Sequence, residues 1–149
     1  MRTAHVDGSH AFLNGAPTYL WLETRQGEPA EVKVEAPGGW RVVTALRREG
    51  EGFLAADLDE LIDSPIHAAP SPVYGFEAAG VPHELVVWGR PEPGVAGIDE
   101  LLADTRKIVE AQAAVFGGLP IDRYAFMLML APGAYGRLCL LYTSPSPRD

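Results

Sequence analysis

The sequence predicts an α+β fold, with a β-rich first half followed by a hairpin, one helix and one strand. Three observations carry this. Residues 1–70 fall into short strand-like runs separated by Gly- and Pro-rich turns at roughly 8–12-residue spacing, the pattern of a sandwich. In the stretch 97–116, Ile98, Leu101, Leu102, Thr105, Ile108, Val109, Gln112, Val115 and Phe116 recur at intervals of three and four, which makes one helix face. The run YAFMLML (124–130) is apolar without alternation, as in a strand covered on both faces.

Taken in order, Ala11 to Leu13 reads as a strand leading to the turn signal Asn14-Gly15. Thr18 to Leu22 reads as a second strand, ended by Arg25 to Pro29. Glu31 to Glu35 alternates, with Val32 and Val34 on one face. Pro37-Gly38-Gly39 turns the chain into the strand Trp40 to Leu46, and Glu49 to Gly52 makes the next turn. Asp57 to Ile62 suits one helical turn, stopped by Asp63-Ser64-Pro65. Ala68 to Pro72 marks a boundary. Beyond it, Val73 to Ala78 and His83 to Trp88 form a hairpin across Ala79 to Pro82, and Arg90 to Gly94 is a loop. The helix starts near Gly97 with Asp99 and Glu100 in its first turn, where the helix dipole favours negative charge. Gly117 and Gly118 can adopt the positive φ that ends a helix, and Pro120 prevents its resumption. Leu101, Ile108, Val115 and Phe116 are expected to face the sheet that contains 124–130.

The 149 residues carry a formal net charge of −8, with a pI near 4.9. That balance argues against a nucleic-acid or anionic membrane surface, and Arg47-Arg48 is too short to reverse it. No apolar run reaches the ~18 residues of a membrane span. Nothing at Met1 resembles a signal peptide, and no compartment is assigned. The single cysteine, Cys139, excludes a disulfide framework.

Candidate chemistry is sparse. His5, His10, His67 and His83 lie in no HExxH and in no Cys/His spacing typical of zinc. Each reads as a surface residue or a hydrogen-bonded one. Asp57, Asp59, Glu60 and Asp63 cluster without the loop spacing of a calcium site, and read as a solvated face. Gly133 to Gly136 is too short for a phosphate loop. The expectation is a chain with no catalytic residue, no metal ligand and no cofactor of its own.

Residues 139–149 break sharply in composition from what precedes. They also match, residue for residue, one reading frame of a common transposon-type sequencing adapter. They are read as a non-native tail that includes Cys139, with the natural gene expected to continue past Leu138.

Several strings resemble the glycyl-aminopeptidase family of zinc metallopeptidases, thermolysin-like enzymes with a C-terminal PDZ domain. They are RTAHVDGSHAFLNG (2–15), GWRVVTAL (39–46), DLDELIDSP (57–65), AGVPHELVV (79–87) and IVEAQAAVFGGLPIDRYAFMLML (108–130). The resemblance implies that 1–70 is the C-terminal half of a β-sandwich domain, with Met1 an internal start. It implies that 71–138 opens the thermolysin-like catalytic domain with its hairpin, helix and strand. By analogy only, Tyr135, Gly136 and Leu138 would lie on the edge strand lining the substrate cleft. Arg137 stands where the family usually has Gly, and His67 where relatives often have Glu. In the intact enzyme zinc would polarise the scissile carbonyl of a peptide substrate, with the motif Glu as base. None of those residues is present here. The chain is therefore expected to be a non-catalytic fragment of a zinc aminopeptidase. The alternative is a stand-alone β-rich module binding a peptide or protein by strand addition.

Overall fold

The computed structural model describes residues 4–89 and 97–130. They divide into two units, the first ending at Pro70 and the second beginning at Ser71.

The first unit contains strands β1 (His5–Val6), β2 (Ala11–Leu13), β3 (Ala30–Val32), β4 (Arg41–Thr44), β5 (Arg47–Glu49), β6 (Gly52–Ala55) and β7 (Ile66–Ala69). One sheet has the order β1-β2-β7-β4 and a second the order β3-β6-β5, with every pairing antiparallel. Both sheets contribute to one apolar cluster. Val32, Phe53 and Ala55 come from the three-stranded sheet, and Ile66 from the four-stranded one. Leu46, fully buried just past β4, completes the cluster with Leu61 of the short helix α2 (Leu58–Asp63). Asp57 caps α2 by accepting a hydrogen bond from the Glu60 backbone N–H at 2.9 Å. Val34 lies past the end of β3 yet packs on the same cluster as Val32, as its alternation predicts.

Three departures from the sequence reading are instructive. Thr18 to Leu22 is not a strand. Gly15–Thr18 forms a single helical turn, α1, and only Tyr19 packs on the cluster, while Leu20, Trp21 and Leu22 are exposed. The turn forms because Gly15 lies against α2, and because Pro17 sits in a first turn that needs no N–H. Second, β5, β6 and β7 were not foreseen. At three or four residues each, they are too short to show a period. Third, β7 runs on through Ala68 and Ala69, so a strand reaches into the segment that holds the division at Pro70 and Ser71.

The second unit is a parallel β-α-β arrangement with a hairpin in front. Strands β8 (Val73–Ala78) and β9 (Val81–Gly89) are antiparallel across Ala79-Gly80, with φ of 51° and 77°. Two consecutive positive φ values give the turn whose twist matches the flanking strands. The second strand therefore starts at Val81, two residues earlier than expected. Pro82 is tolerated there because pairing with the third strand begins only at His83. Helix α3 (Ile98–Phe116) ends at Gly117 in the left-handed region, and strand β10 (Tyr124–Leu130) returns parallel to β9. The sheet order is β10-β9-β8, and α3 packs on β8.

The helix face needs correcting. Val109 and Ala113 are buried, and Ile98, Leu101, Leu102 and Thr105 are half-buried. Ile108, Val115 and Phe116 are exposed. At about 100° per residue, Ile108 and Val115 lie roughly a quarter-turn or more from the Val109 stripe. Phe116 is in line with the stripe but exposed, so packing stops at Ala113. β10 is also half-buried along its whole length rather than covered on both faces. Among the described residues it is an edge strand, and α3 packs mainly on β8 at the opposite edge of the sheet.

Candidate functional site

The residues with most chemical potential gather on one face of the β1-β2-β7-β4 sheet. The register places His5 opposite Phe12, Phe12 opposite His67, and His67 opposite Val43. Residues directly opposite share a face, and successive residues alternate. Asp7 and His10 have the same parity as His5 and Phe12, so strand geometry brings His5, Asp7, His10 and His67 to one side. The other side, with Leu13, Val42 and Ile66, serves the apolar cluster.

The loop from Asp7 to His10 fixes the arrangement locally. The Asp7 N–H donates to the His10 carbonyl at 3.0 Å. Asp7 Oδ1 accepts from the Ser9 N–H at 2.7 Å, the Ser9 hydroxyl at 2.7 Å and the His10 N–H at 3.0 Å. An Asp at the first position of a turn commonly binds the backbone in this way. Asp7 Oδ2 is left facing His5 Nε2 at 3.0 Å. His10 Nδ1 lies 3.4 Å from Asp7 Oδ1. The His5 imidazole, the Ser9 hydroxyl and the two N–H groups hold the Asp7 carboxyl well below the usual carboxylate range, so it is ionised throughout the neutral range.

His10 and His67 are buried. The rings of His5 and His10 are 4.8 Å apart, and those of His10 and His67 are 6.2 Å apart. Neither nitrogen of His67 has a hydrogen-bond partner among the described residues. Burial, with a smaller contribution from His10, lowers the His67 pKa from 6.5 to about 4, so this imidazole is neutral at pH 7. Sequence reading treated these histidines singly. The signal it passed over was the His-x-Asp parity on one strand, with a further His at the start of the next.

The other candidates are structural. His83 is buried, with Nδ1 2.8 Å from the Val81 carbonyl oxygen, and it stacks on Phe76 at 5.0 Å and Phe126 at 6.0 Å. Asp57 and Glu60 accept backbone N–H groups at the start of α2. Burial and the neighbouring Asp59 raise the Asp63 carboxyl pKa. The cleft-edge residues Tyr135, Gly136 and Leu138 lie outside the described residues, as do Arg90 to Gly94, Gly133 to Gly136, Arg137 and the tail 139–149. Among the described residues, no helix is long and apolar enough to cross a membrane.

Comparison with known proteins points to peptidase-associated chains. Residues 1–70 match the family described as the Peptidase M61 N-terminal domain. Among solved structures, the chain is similar to the crystal structure of an aminopeptidase N family protein from Idiomarina loihiensis. The TM-score is 0.82 and the identity 29%, over 90% of this chain. The matched region is 24% of that protein, so this chain spans about a quarter of the solved structure's length. No curated protein matches the chain.

Proposed function

We propose that this chain is a scaffold-bearing, non-catalytic part of a zinc-dependent aminopeptidase that hydrolyses peptide substrates. Within that reading, residues 1–70 are part of an N-terminal β-sandwich domain. Residues 71–138 open a thermolysin-like catalytic domain of the glycyl-aminopeptidase type, whose members carry a C-terminal PDZ domain. The observation that carries the proposal is the likeness to the aminopeptidase N family structure, which extends over both units. The peptidase N-terminal-domain match over residues 1–70 supports it independently. The 149 residues contain no HExxH pair. A catalytic zinc of that kind does not fit the residues present, and no step of amide hydrolysis is assigned to them.

The test is nucleotide sequencing of the source locus across codon 138. The expected result is an open frame running on to an HExxH helix and a downstream Glu ligand. A frame that continues for a domain's length without that motif, or a native stop shortly after codon 138, overturns the reading.

A further inference from the structure

We propose that His5, Asp7 and His10 bind one divalent transition-metal ion, with zinc as the reference ion. This site goes beyond the proposed function and does not depend on it.

One ligand atom from each of the three residues falls within 4.8 Å of those from the other two. The closest measured separations are 3.0 Å for His5 Nε2 to Asp7 Oδ2 and 3.4 Å for Asp7 Oδ1 to His10 Nδ1. A tetrahedral ion with bonds of about 2.0–2.1 Å holds its donors about 3.3 Å apart. The two short separations involve different oxygens of Asp7, and the widest gap in the set is at most 4.8 Å, so closing on one ion requires the donors to move together by up to about 1.5 Å. Two imidazoles and a carboxylate are donors that suit zinc and its neighbours, and disfavour magnesium or calcium.

The surroundings support an ion more than a plain ion pair. Asp7 Oδ1 is anchored by three donors, which fixes the carboxylate while Oδ2 faces His5. Partners of this kind orient a ligating group in metal sites. The bound ion would take the place of the direct contact between His5 Nε2 and Asp7 Oδ2. The side chains of His5 and Asp7 are 38% and 44% exposed and that of His10 is 1% exposed, so an ion entering from solvent meets a buried third ligand. His67 lies behind His10, with the two rings 6.2 Å apart. A hydrogen bond between His5 and Asp7 accounts for one contact. The turn holds His10 Nδ1 at 3.4 Å from both Asp7 Oδ1 and the Ser9 hydroxyl, so a second imidazole is fixed beside the same carboxylate, and behind it neither nitrogen of the buried His67 has a partner among the described residues.

The experiment titrates the full chain, freed of metal with a chelator, with Zn²⁺ by calorimetry and by dye competition. The expected result is one saturable equivalent. His5→Gln and Asp7→Asn each weaken binding by about tenfold or more. Asn at position 7 keeps an Oδ1 acceptor for the turn, and melting curves check that both variants fold. Cys139→Ser removes the only thiol and leaves binding unchanged. Co²⁺ bound to the wild-type chain gives d–d absorption and paramagnetically shifted imidazole protons, a readout that needs no variant. The proposal is overturned by any of three results: no saturable binding to the wild type, binding lost in Cys139→Ser, or folded His5→Gln and Asp7→Asn variants that bind as the wild type does.

Discussion

Replacing Gly15 by Ala tests how the first unit is packed. A Cβ at this position would lie 2.6 Å from Ile62 Cα, 2.7 Å from the Ile62 carbonyl oxygen and 2.8 Å from that of Leu61. Carbon atoms in good contact sit about 3.5–4.0 Å apart, so α1 and α2 must separate by roughly 1 Å. Both sides of the contact are backbone, so no side chain can swing away. The segments that move carry Tyr19, Leu58 and Leu61 against the apolar cluster. Overpacking of this kind costs about 1–3 kcal/mol. Alanine returns up to about 1 kcal/mol through its helix preference, which leaves a net loss of up to about 2 kcal/mol. For a domain of this size that lowers Tm by up to about 15 °C. The assay is thermal and urea unfolding of the full chain, followed by circular dichroism. Gly15→Asn is the discriminating variant. If Gly15 served a left-handed turn, as its place after Asn14 suggests, Asn would be well tolerated. If close approach is the reason, Asn is at least as harmful as Ala. Gly27→Ala, with nothing within 4 Å of the added Cβ, is the control and should change stability by less than about 0.5 kcal/mol. Gly15→Ala and Gly15→Asn variants as stable as the wild type would refute the argument.

Two further outcomes follow from the same unit. Leu46→Ala should cost about 2–5 kcal/mol, because a fully buried leucine leaves a cavity between the sheets. In urea this appears as a lower midpoint with an unchanged slope, and a loss below about 1 kcal/mol would contradict its central place. His67 should make the metal-free protein less stable as pH falls from about 6.5 toward about 4. Its folded pKa is depressed, so the unfolded chain binds the extra proton in that window, and the stability present above pH 6.5 is lost on acidification. The shift corresponds to on the order of 3 kcal/mol. The lowered Asp7 pKa acts in the same sense, but below its ordinary value of 3.8. Urea midpoints at pH 7 and pH 4.5, with chelator present, should converge in His67→Leu, and an unchanged pH slope in that variant would contradict the assignment.

Much of the second unit was legible in the sequence because its signals are long and local. The helix spans five turns, Gly117 and Gly118 stop it, and seven apolar residues without a break make the last strand. The turn at Ala79-Gly80 is equally local. The first unit was less legible because its strands are short and tertiary contacts override local preference. Thr18 to Leu22 has the composition of a strand, but the approach of Gly15 to Ile62 imposes a helical turn just before it. On α3 the apolar positions were read correctly as helical, yet more of them were available than the sheet covers. Ile108 and Val115 therefore stayed in solvent. The histidine cluster was hidden for another reason. His5, Asp7 and His10 lie close along the chain, but their spacing matches none of the linear zinc motifs, and only the turn between β1 and β2 brings the three together, with His67 added from β7.

The central claim, that this chain supplies peptidase scaffold rather than peptidase chemistry, is tested most directly by a hydrolysis assay. The purified 149-residue chain is incubated with amino-acid anilides and glycyl dipeptides, with and without added Zn²⁺, and followed through an orthogonal column step. The expected result is release no faster than the blank in every fraction. Turnover that co-elutes with the chain, requires Zn²⁺ and disappears in Asp7→Asn would contradict the claim and place catalysis at the histidine face.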